Sequence, residues 1–333
     1  MPTVSIIIPN YNHSLFLKQR IDTVLAQSYQ DFEVIILDDC STDNSREIIE
    51  CYRHHPKISQ IIYNDINSGG VFKQWIKGIH LSKGEYIWIA ESDDYSTEDF
   101  LKETVAVLDT TKNAGMVFTA STTVYENGDF ITTTEQIKKA HFLALAKADN
   151  KIDNNNLSDF LIGDFLIENA SSVLFRKSNL LALDFVELSQ FKNTGDRFVY
   201  IGIALKSSIQ YLPKFCNYMR SHTSNTTKKS TENGNLYKDR IRVLNYYYKE
   251  IEKSIGNLQP IADLYRKDYF FFLNFCTYEE NIQLLDQIKQ TNTISSMDYL
   301  LMKYYLILFK KKNYQLRLLR SLYYRILVLK LGH

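Results

Sequence analysis

Tyr86-Ile87-Trp88-Ile89-Ala90-Glu91-Ser92-Asp93-Asp94 decides how this chain is read. An apolar run enters a polar turn that carries Glu91, Asp93 and Asp94. Two earlier stretches have the same form. Val4-Ser5-Ile6-Ile7-Ile8 enters Pro9-Asn10-Tyr11-Asn12, and Val34-Ile35-Ile36-Leu37 enters Asp38-Asp39. Short apolar runs of this kind read as buried strands, and open α/β sheets bind ligands beyond the carboxyl ends of such strands. One acidic cluster can read a nucleotide's base and ribose, while the other holds a divalent metal against its phosphates. That division suggests a nucleotide-sugar enzyme.

Outward from these strands, the periodicity alternates between strand and helix. Strand 3–8 precedes a helix at about 14–27 whose apolar face is Leu15, Leu17, Ile21, Val24 and Leu25. Strand 33–37 leads through Ser41-Thr42-Asp43-Asn44-Ser45, all helix-capping types, to a helix near 44–54. Ile58–Ile62 is a third strand, Asn67-Ser68-Gly69-Gly70 a turn, and 71–81 a helix. Strand 85–90 ends at the acidic turn, Ser96-Thr97-Glu98-Asp99 opens a helix to about 109, and Met116–Thr119 forms a further strand. Strands separated by helices imply right-handed crossovers and a mostly parallel sheet flanked by helices. Polar residues make 149–156 a loop. From about 235 the pattern becomes long helices, and the polar Ser224–Ser230 stretch marks a boundary. The expected organisation is an α/β domain over 1–225 and a helical region over 235–333.

The 333 residues are globular in composition, 45% hydrophobic and 23% charged, which leaves room for one large domain with an appendage. A net charge of +1 gives no argument for nucleic acid as a partner. The abundant tyrosines suit a carbohydrate-facing surface, and equally a codon bias. Cys40, Cys51, Cys216 and Cys276 form no CxxC pair or ligand-like cluster, so reduced thiols are expected. A strand starts just after Met1, leaving no visible signal peptide, and no apolar run reaches the roughly 18 residues needed to span a bilayer. A cytoplasmic protein is expected.

The turn Pro9-Asn10-Tyr11-Asn12 lacks the glycines of a phosphate-gripping loop. Tyr11 can stack on a base while backbone groups bond its edge; an ordinary strand-to-helix turn is the alternative. A carboxylate at Asp39 can accept from a uracil imide N–H, or simply brace its loop. In Glu91-Ser92-Asp93-Asp94, an acid-x-acid spacing sets two carboxylates on one side, the donors that Mg2+ and Mn2+ prefer. Asp94 can instead cap the helix that follows.

At these positions the chain resembles the family 2 glycosyltransferases of GT-A fold, which build capsules, O-antigens and other bacterial surface polysaccharides. The matching segments are Val4–Asn12, Phe32–Ser45, Gly84–Asp94 and Thr194-Gly195-Asp196-Arg197-Phe198, in family order over about the first 220 residues. The resemblance implies an inverting, metal-dependent transferase with Mn2+ or Mg2+ as cofactor, transferring a hexosyl or N-acetylhexosaminyl group. It implies a nucleoside diphosphate sugar donor, UDP-linked given Asp39, and a saccharide or lipid-linked acceptor. Asp196 would be the general base. Donor contacts would come from Pro9, Asn10, Tyr11, Asp39, Asn67, Gly70, Lys73, Glu91, Ser92 and Arg220, and metal contacts from Asp93, Asp94 and His222. Glu91 departs from the family's more frequent Asp, and Trp75 and Lys77 stand where small residues or Asn are common. Tyr218-Met219-Arg220-Ser221-His222 with Asn225-Thr226 resembles the flexible segment that closes over the diphosphate. Glu168-Asn169-Ala170-Ser171-Ser172 is expected to border the acceptor site.

Residues 301–333 carry Lys303, Lys310, Lys311, Lys312, Arg317, Arg320, Arg325 and Lys330 among leucines and tyrosines, with no acid. Such a segment suits a helix lying on an anionic membrane, or one packed on its own domain or in a homodimer. Rival functions are a sugar nucleotidyltransferase, which needs a glycine-rich basic loop after the first strand, and an inactive carbohydrate-binding scaffold of the same fold.

Overall fold

A computed structural model describes residues 1–157, 159–160, 165–222, 234–256, 259–272 and 277–310. The chain forms two compact units, Met1–Asn225 and Thr226–His333. The polar stretch 224–230 and the basic tail beyond Lys310 lie outside the described residues.

In the first unit, β1 (Val4–Asn10) and β2 (Phe32–Asp38) are buried over their whole lengths. A strand covered on both faces must be apolar throughout rather than alternating, which explains the near-unbroken aliphatic runs. β1 and β2 pair in parallel from Val4–Phe32 to Asn10–Asp38. β3 (Ile58–Tyr63) extends the parallel group beyond β2, and β4 (Tyr86–Ile89) lies along the other side of β1, with Ile7 opposite Ile89. Helices α1 (Ser14–Leu25), α2 (Ser45–Glu50) and α3 (Val71–Leu81) make the crossovers. This register brings residues 11–13, 39–44 and 90–94 to one edge of the sheet.

Beyond β4 the sheet is mixed, mostly antiparallel. Its further strands are β5 (Tyr95–Ser96), β6 (Ala114–Tyr125), β7 (Phe130–Thr133), β8 (Lys151–Ile152), β9 (Val173–Arg176) and β10 (Ser208–Ser221). The order is β3-β2-β1-β4-β9-β6-β10-β5, with β7 paired to β6 and β8 to β10. β9 runs antiparallel to both β4 and β6, while β10 is parallel to β6 and antiparallel to β5. Helices α4 (Phe100–Thr110), α5 (Thr134–Ile137), α6 (Lys139–Lys147), α7 (Lys177–Leu181), α8 (Phe185–Leu188) and α9 (Gly195–Ala204) complete the unit.

Three expectations change in detail. The helix read to 54 ends at Glu50, the strand read as 116–119 runs from 114 to 125, and the loop read over 149–156 contains β8. β8 exists because Ile152 and Lys151 pair with Ile209 and Gln210, a partner nearly sixty residues away that no local pattern reveals.

Two contacts fix β4 against its neighbours. Trp88 stacks on Phe100 with centroids 4.3 Å apart, and its Nε1–H donates to the Ser171 carbonyl. At the entry to β4, the Gly84 N–H donates to Ser5 Oγ (2.8 Å), and Ser5 Oγ donates to Glu33 (2.7 Å). A Cβ on Gly84 would lie 2.6 Å from the Ser5 nitrogen, so only glycine allows this approach.

The second unit consists, among its described residues, of helices Asn235–Ile255, Gln259–Phe272, Tyr278–Gln290 and Ser296–Lys310. Gly234 and Gly256 flank the first with positive φ, and Thr277 with Glu280 forms a capping box on the third. Ile241, Leu244, Ile251, Ile261, Tyr265, Leu285, Ile288 and Met302 are buried. Among the described residues, no helix is long and apolar enough to cross a membrane.

Candidate active site

The chain leaves β1 and β2 through left-handed residues, Asn12 (φ 56°) and Cys40 (φ 64°). Asparagine tolerates that region; cysteine rarely enters it, so the turn is held by its bonds. Asn12 Oδ1 accepts the Thr42 N–H (2.7 Å), and the Asn12 N–H donates to Ser41 Oγ (3.0 Å). Asn10 Nδ2 donates to Asp38 (2.9 Å) and to Ser41 Oγ (3.1 Å). These bonds join the 9–12 and 38–42 turns into one rigid ledge. Pro9 lies past the last β1–β4 pair, so its missing N–H breaks no ladder bond there. Tyr11 is 47% exposed, leaving its ring face available.

Asp39 is buried, and its carboxylate gathers the next loop. Oδ1 accepts from Asn64 Nδ2 (2.7 Å), the Ser68 N–H (2.9 Å) and Gln74 Nε2 (2.9 Å); Oδ2 accepts from Ser68 Oγ (2.7 Å). Asn67 Nδ2 donates to the Asp39 carbonyl, Gly70 precedes α3, and Lys73 Nζ turns back to the Ser68 carbonyl (2.8 Å). Asp39 thus braces this loop, with Oδ2 retaining acceptor capacity. Trp75 is buried in the core, and Lys77 Nζ donates to Asn64 Oδ1 (2.6 Å).

The acidic turn sits on a buried cation. Arg20 lies on the inner face of α1, fully buried, its Nε donating to the Glu91 carbonyl (2.8 Å) while Nη1 and Nη2 have no hydrogen-bond partner among the described residues. Burial lowers its guanidinium to about 10, against the opposing fields of Asp94, Asp93 and Glu91, so it stays charged. Glu91 is pushed well up, by burial first and then by Asp93, Asp94 and Asp196. Asp94 is pushed up to about 6, by burial and then by Asp93. Its oxygens accept from the Arg220 N–H (3.0 Å) and Asn169 Nδ2 (2.5 Å); the cap of α4 falls to Asp99 instead.

Asp93 is the hub. Its Oδ2 lies 3.0 Å from His222 Nε2, and although burial raises its carboxyl, the bond to His222 and the fields of His13 and His222 hold it below the ordinary range. His13 Nδ1 is 2.8 Å from Ser92 Oγ, and the His13 and His222 rings stand edge to face at 5.8 Å. Two sets of side chains each offer ligand atoms within 4.8 Å of one another, His13 with Asp93 and His222, and Glu91 with Asp93 and Asp94.

Arg220, expected at the departing phosphate, is buried and engaged by the protein. Nη1 donates to the Asp93 carbonyl (2.6 Å), Nη2 to Gln19 (2.6 Å), and the guanidinium lies 4.6 Å from Phe16 and 5.1 Å from Tyr95. Residues 218–221, likened above to a flexible segment, form the end of β10, and Asn225-Thr226 lie outside the described residues.

Asp196 opens α9, where its Oδ1 accepts the Arg197 N–H (2.7 Å). Burial pushes its carboxyl up to about 6. Its field reaches Glu91, and Tyr200, one turn along, feels both acids while its buried hydroxyl has no hydrogen-bond partner among the described residues. A Cβ on Gly195 would lie 2.7 Å from the Phe72 ring, so α9 begins against α3, the helix whose Gln74 bonds Asp39. The expected residues therefore converge on one edge of the sheet. The residues missed by sequence reasoning are His13, Arg20 and Tyr200. For Arg20 a signal existed, because it shares the apolar stripe of Leu17, Ile21 and Val24.

A parallel half-sheet ending in an acid-rich turn, continued by a mixed half and by a helix whose first turn carries a further acid, is the architecture of the GT-A fold. The glycosyl transferase family 2 model matches residues 5–168, and this segment is a domain of that family. An uncharacterised glycosyltransferase of Haemophilus influenzae is 28% identical over 82% of this chain and 95% of its own. Poly(ribitol-phosphate) beta-N-acetylglucosaminyltransferase TarS of Staphylococcus aureus is 34% identical over 33% of this chain and 19% of its own. The first curated relatives are matched over only 33% and 19% of their lengths. In fold, the crystal structure of TarS 1-349 in complex with UDP-GlcNAc superimposes with a TM-score of 0.67 at 19% identity, covering 97% of this chain and 92% of that one. Mannosyltransferase PcManGT of Pyrobaculum calidifontis, in complex with GDP-Man and Mn2+, gives 0.58 at 15% identity, covering 99% and 86%.

Proposed function

We propose that this chain is an inverting glycosyltransferase that moves a hexosyl or N-acetylhexosaminyl group from a UDP-sugar to a saccharide or lipid-linked saccharide. The product would be a surface polysaccharide of capsule or O-antigen type. The observation that carries this reading is Asp196, a carboxyl that burial pushes up to about 6 and whose charge reaches Glu91 of the acidic turn. The acceptor hydroxyl gives its proton to Asp196 as its oxygen bonds the anomeric carbon. The bond from that carbon to the β-phosphate oxygen breaks, and its electron pair leaves with UDP. A base with this pKa is ionised at neutral pH and still takes a proton readily.

Asp39 and Tyr11 hold the base and Glu91 the ribose, on the ledge formed by Pro9 and Asn10. Asn67, Gly70, Lys73 and Ser92 border the donor, while Arg220 positions the backbone of Asp93 and Asp94. The donor atoms at Asp93 fit a divalent cation, since Asp93 is ionised and belongs to two sets within 4.8 Å, one with the imidazoles of His13 and His222 and one with the carboxylates of Glu91 and Asp94. Asp93 with His222, and Asp94 behind it, would hold Mn2+ or Mg2+, which supplies charge neutralisation for the departing diphosphate. The names of relatives that bind UDP-GlcNAc or Mn2+ support this choice. The basic 301–333 segment supports attachment to the anionic cytoplasmic leaflet, where lipid-linked acceptors lie.

Calorimetry of UDP binding with and without Mn2+, on the wild type and Asp93→Asn, tests the site. Metal-dependent binding that the variant loses is the expected result. Binding of UDP that ignores the metal, or no binding at all, rejects the proposal.

A further inference from the structure

We propose that His13 is a protein ligand of the divalent ion, completing a centre of two imidazoles and one carboxylate with Asp93 and His222, and that this centre selects Mn2+ and Co2+ over Mg2+. The inference rests on the metal-assisted reading above and deepens it. Asp93 belongs to both sets of ligand atoms, so the identity of the ion turns on which set surrounds it. The all-carboxylate set is already committed, because Asp94 accepts from Arg220 and Asn169. The histidine set is prepared for an ion. His13 Nδ1 is held by Ser92 Oγ at 2.8 Å, which fixes the ring and leaves Nε2 to coordinate. A ligating histidine commonly secures its second nitrogen in this way. The His13 and His222 rings meet edge to face at 84°, a disposition that lets two nitrogens converge on one point beside Asp93. Phe16 lies 5.2 Å from the His222 ring and 6.4 Å from that of His13, an apolar wall that shields the pair.

Imidazole is a borderline donor that suits first-row transition ions, whereas Mg2+ demands oxygen ligands in near-ideal octahedral geometry. A site with two such nitrogens therefore ranks Mg2+ below Mn2+, and Mn2+ below Co2+. In a Glu91–Asp93–Asp94 site the preference for transition ions over Mg2+ would be weak.

The full chain is titrated with Mn2+, Co2+ and Mg2+ by calorimetry as wild type, His13→Gln and Asp93→Asn, and the wild type loaded with Mn2+ is examined by pulsed EPR for 14N couplings. The wild type is expected to bind Mn2+ at least about tenfold more tightly than Mg2+, with two imidazole nitrogens on the ion, and His13→Gln to weaken Mn2+ about 10- to 100-fold while changing Mg2+ by less than about threefold. His13 makes no side-chain bond as the cap of α1, so the substitution leaves that helix start unchanged. A single imidazole nitrogen in the wild-type spectrum overturns the inference, whatever the variant does. So does Mn2+ binding unchanged by His13→Gln. If Asp93→Asn then still loses Mn2+, the metal-assisted reading stands without His13; if it does not, both fall.

Discussion

Replacing Asp196 by asparagine separates what this carboxyl does for catalysis from what it costs the fold. Burial pushes it from an ordinary 3.8 up to about 6. The folded chain thus binds that proton about two pH units more tightly than the unfolded chain, a linkage of roughly 3 kcal/mol at about 1.4 kcal/mol per unit. Because the side chain is only half-buried, solvent screening reduces this to about 1–2 kcal/mol. The sign follows from the raised value. Stability from this group is fully present below about pH 4 and is lost as pH rises through about 6, where the buried carboxyl must ionise. The amide that replaces the carboxyl keeps an acceptor for the Arg197 N–H and removes the charge, so Asp196→Asn should be more stable than the wild type at pH 8. The expected gain is about 1–2 kcal/mol, or about 2–8 °C in Tm for a unit of this size, shrinking to nothing near pH 4. In the same variant UDP binding persists and sugar transfer is lost. Thermal unfolding of both proteins across this pH range, calorimetry with UDP and a transfer assay provide the three readouts. Pairing the proteins at each pH cancels the titration of Asp94, which both carry. A variant less stable at pH 8, a difference that survives acidification, or undiminished transfer would each refute the reasoning.

Asp39→Ala removes the acceptor from the three donors that converge on Oδ1, Asn64, Ser68 and Gln74. It should lower stability by about 1–3 kcal/mol in urea unfolding and weaken UDP in calorimetry; unchanged unfolding would mean the 64–74 loop does not depend on this carboxylate. Gly84→Ala puts a methyl 2.6 Å from the Ser5 nitrogen. Backbone must move to admit it, at about 1–3 kcal/mol or more, and a Tm equal to the wild type would show that β1 and β4 have room to part.

The parallel half of the sheet was legible because burial on both faces imposes apolar runs, and the acids stood out by ending them. The mixed half was not. β8 and β9 are held by partners in β10, β4 and β6, so their pairing lives in the tertiary structure rather than in local pattern. Site residues divide in the same way. Asp93 was singled out by its place in an acid-x-acid turn at a strand end, and Asp196 only through the family resemblance, whereas His13 looks like any turn residue until β10 delivers His222 beside it.

Arg220 shows why a side chain's type and neighbourhood do not settle its role. Read as a cation for the phosphate, it spends its donors on the Asp93 carbonyl and Gln19 and lies between Phe16 and Tyr95. Its backbone N–H meets one oxygen of Asp94, and Asn169 meets the other. Asn169 in turn accepts from Asn217 Nδ2 (3.1 Å), which also donates to Ser121 Oγ (2.9 Å). This buried polar relay ties β10 and β6 to the acidic turn and holds Asp94 in place. A network of this kind stabilises only when its members are satisfied together, so each residue in it constrains the rest. Asp93 stays partly exposed while Asp94, next to it, is drawn into the fold. Positional precision at the hub therefore derives from β6 and β10, in the half of the sheet that local sequence pattern describes least.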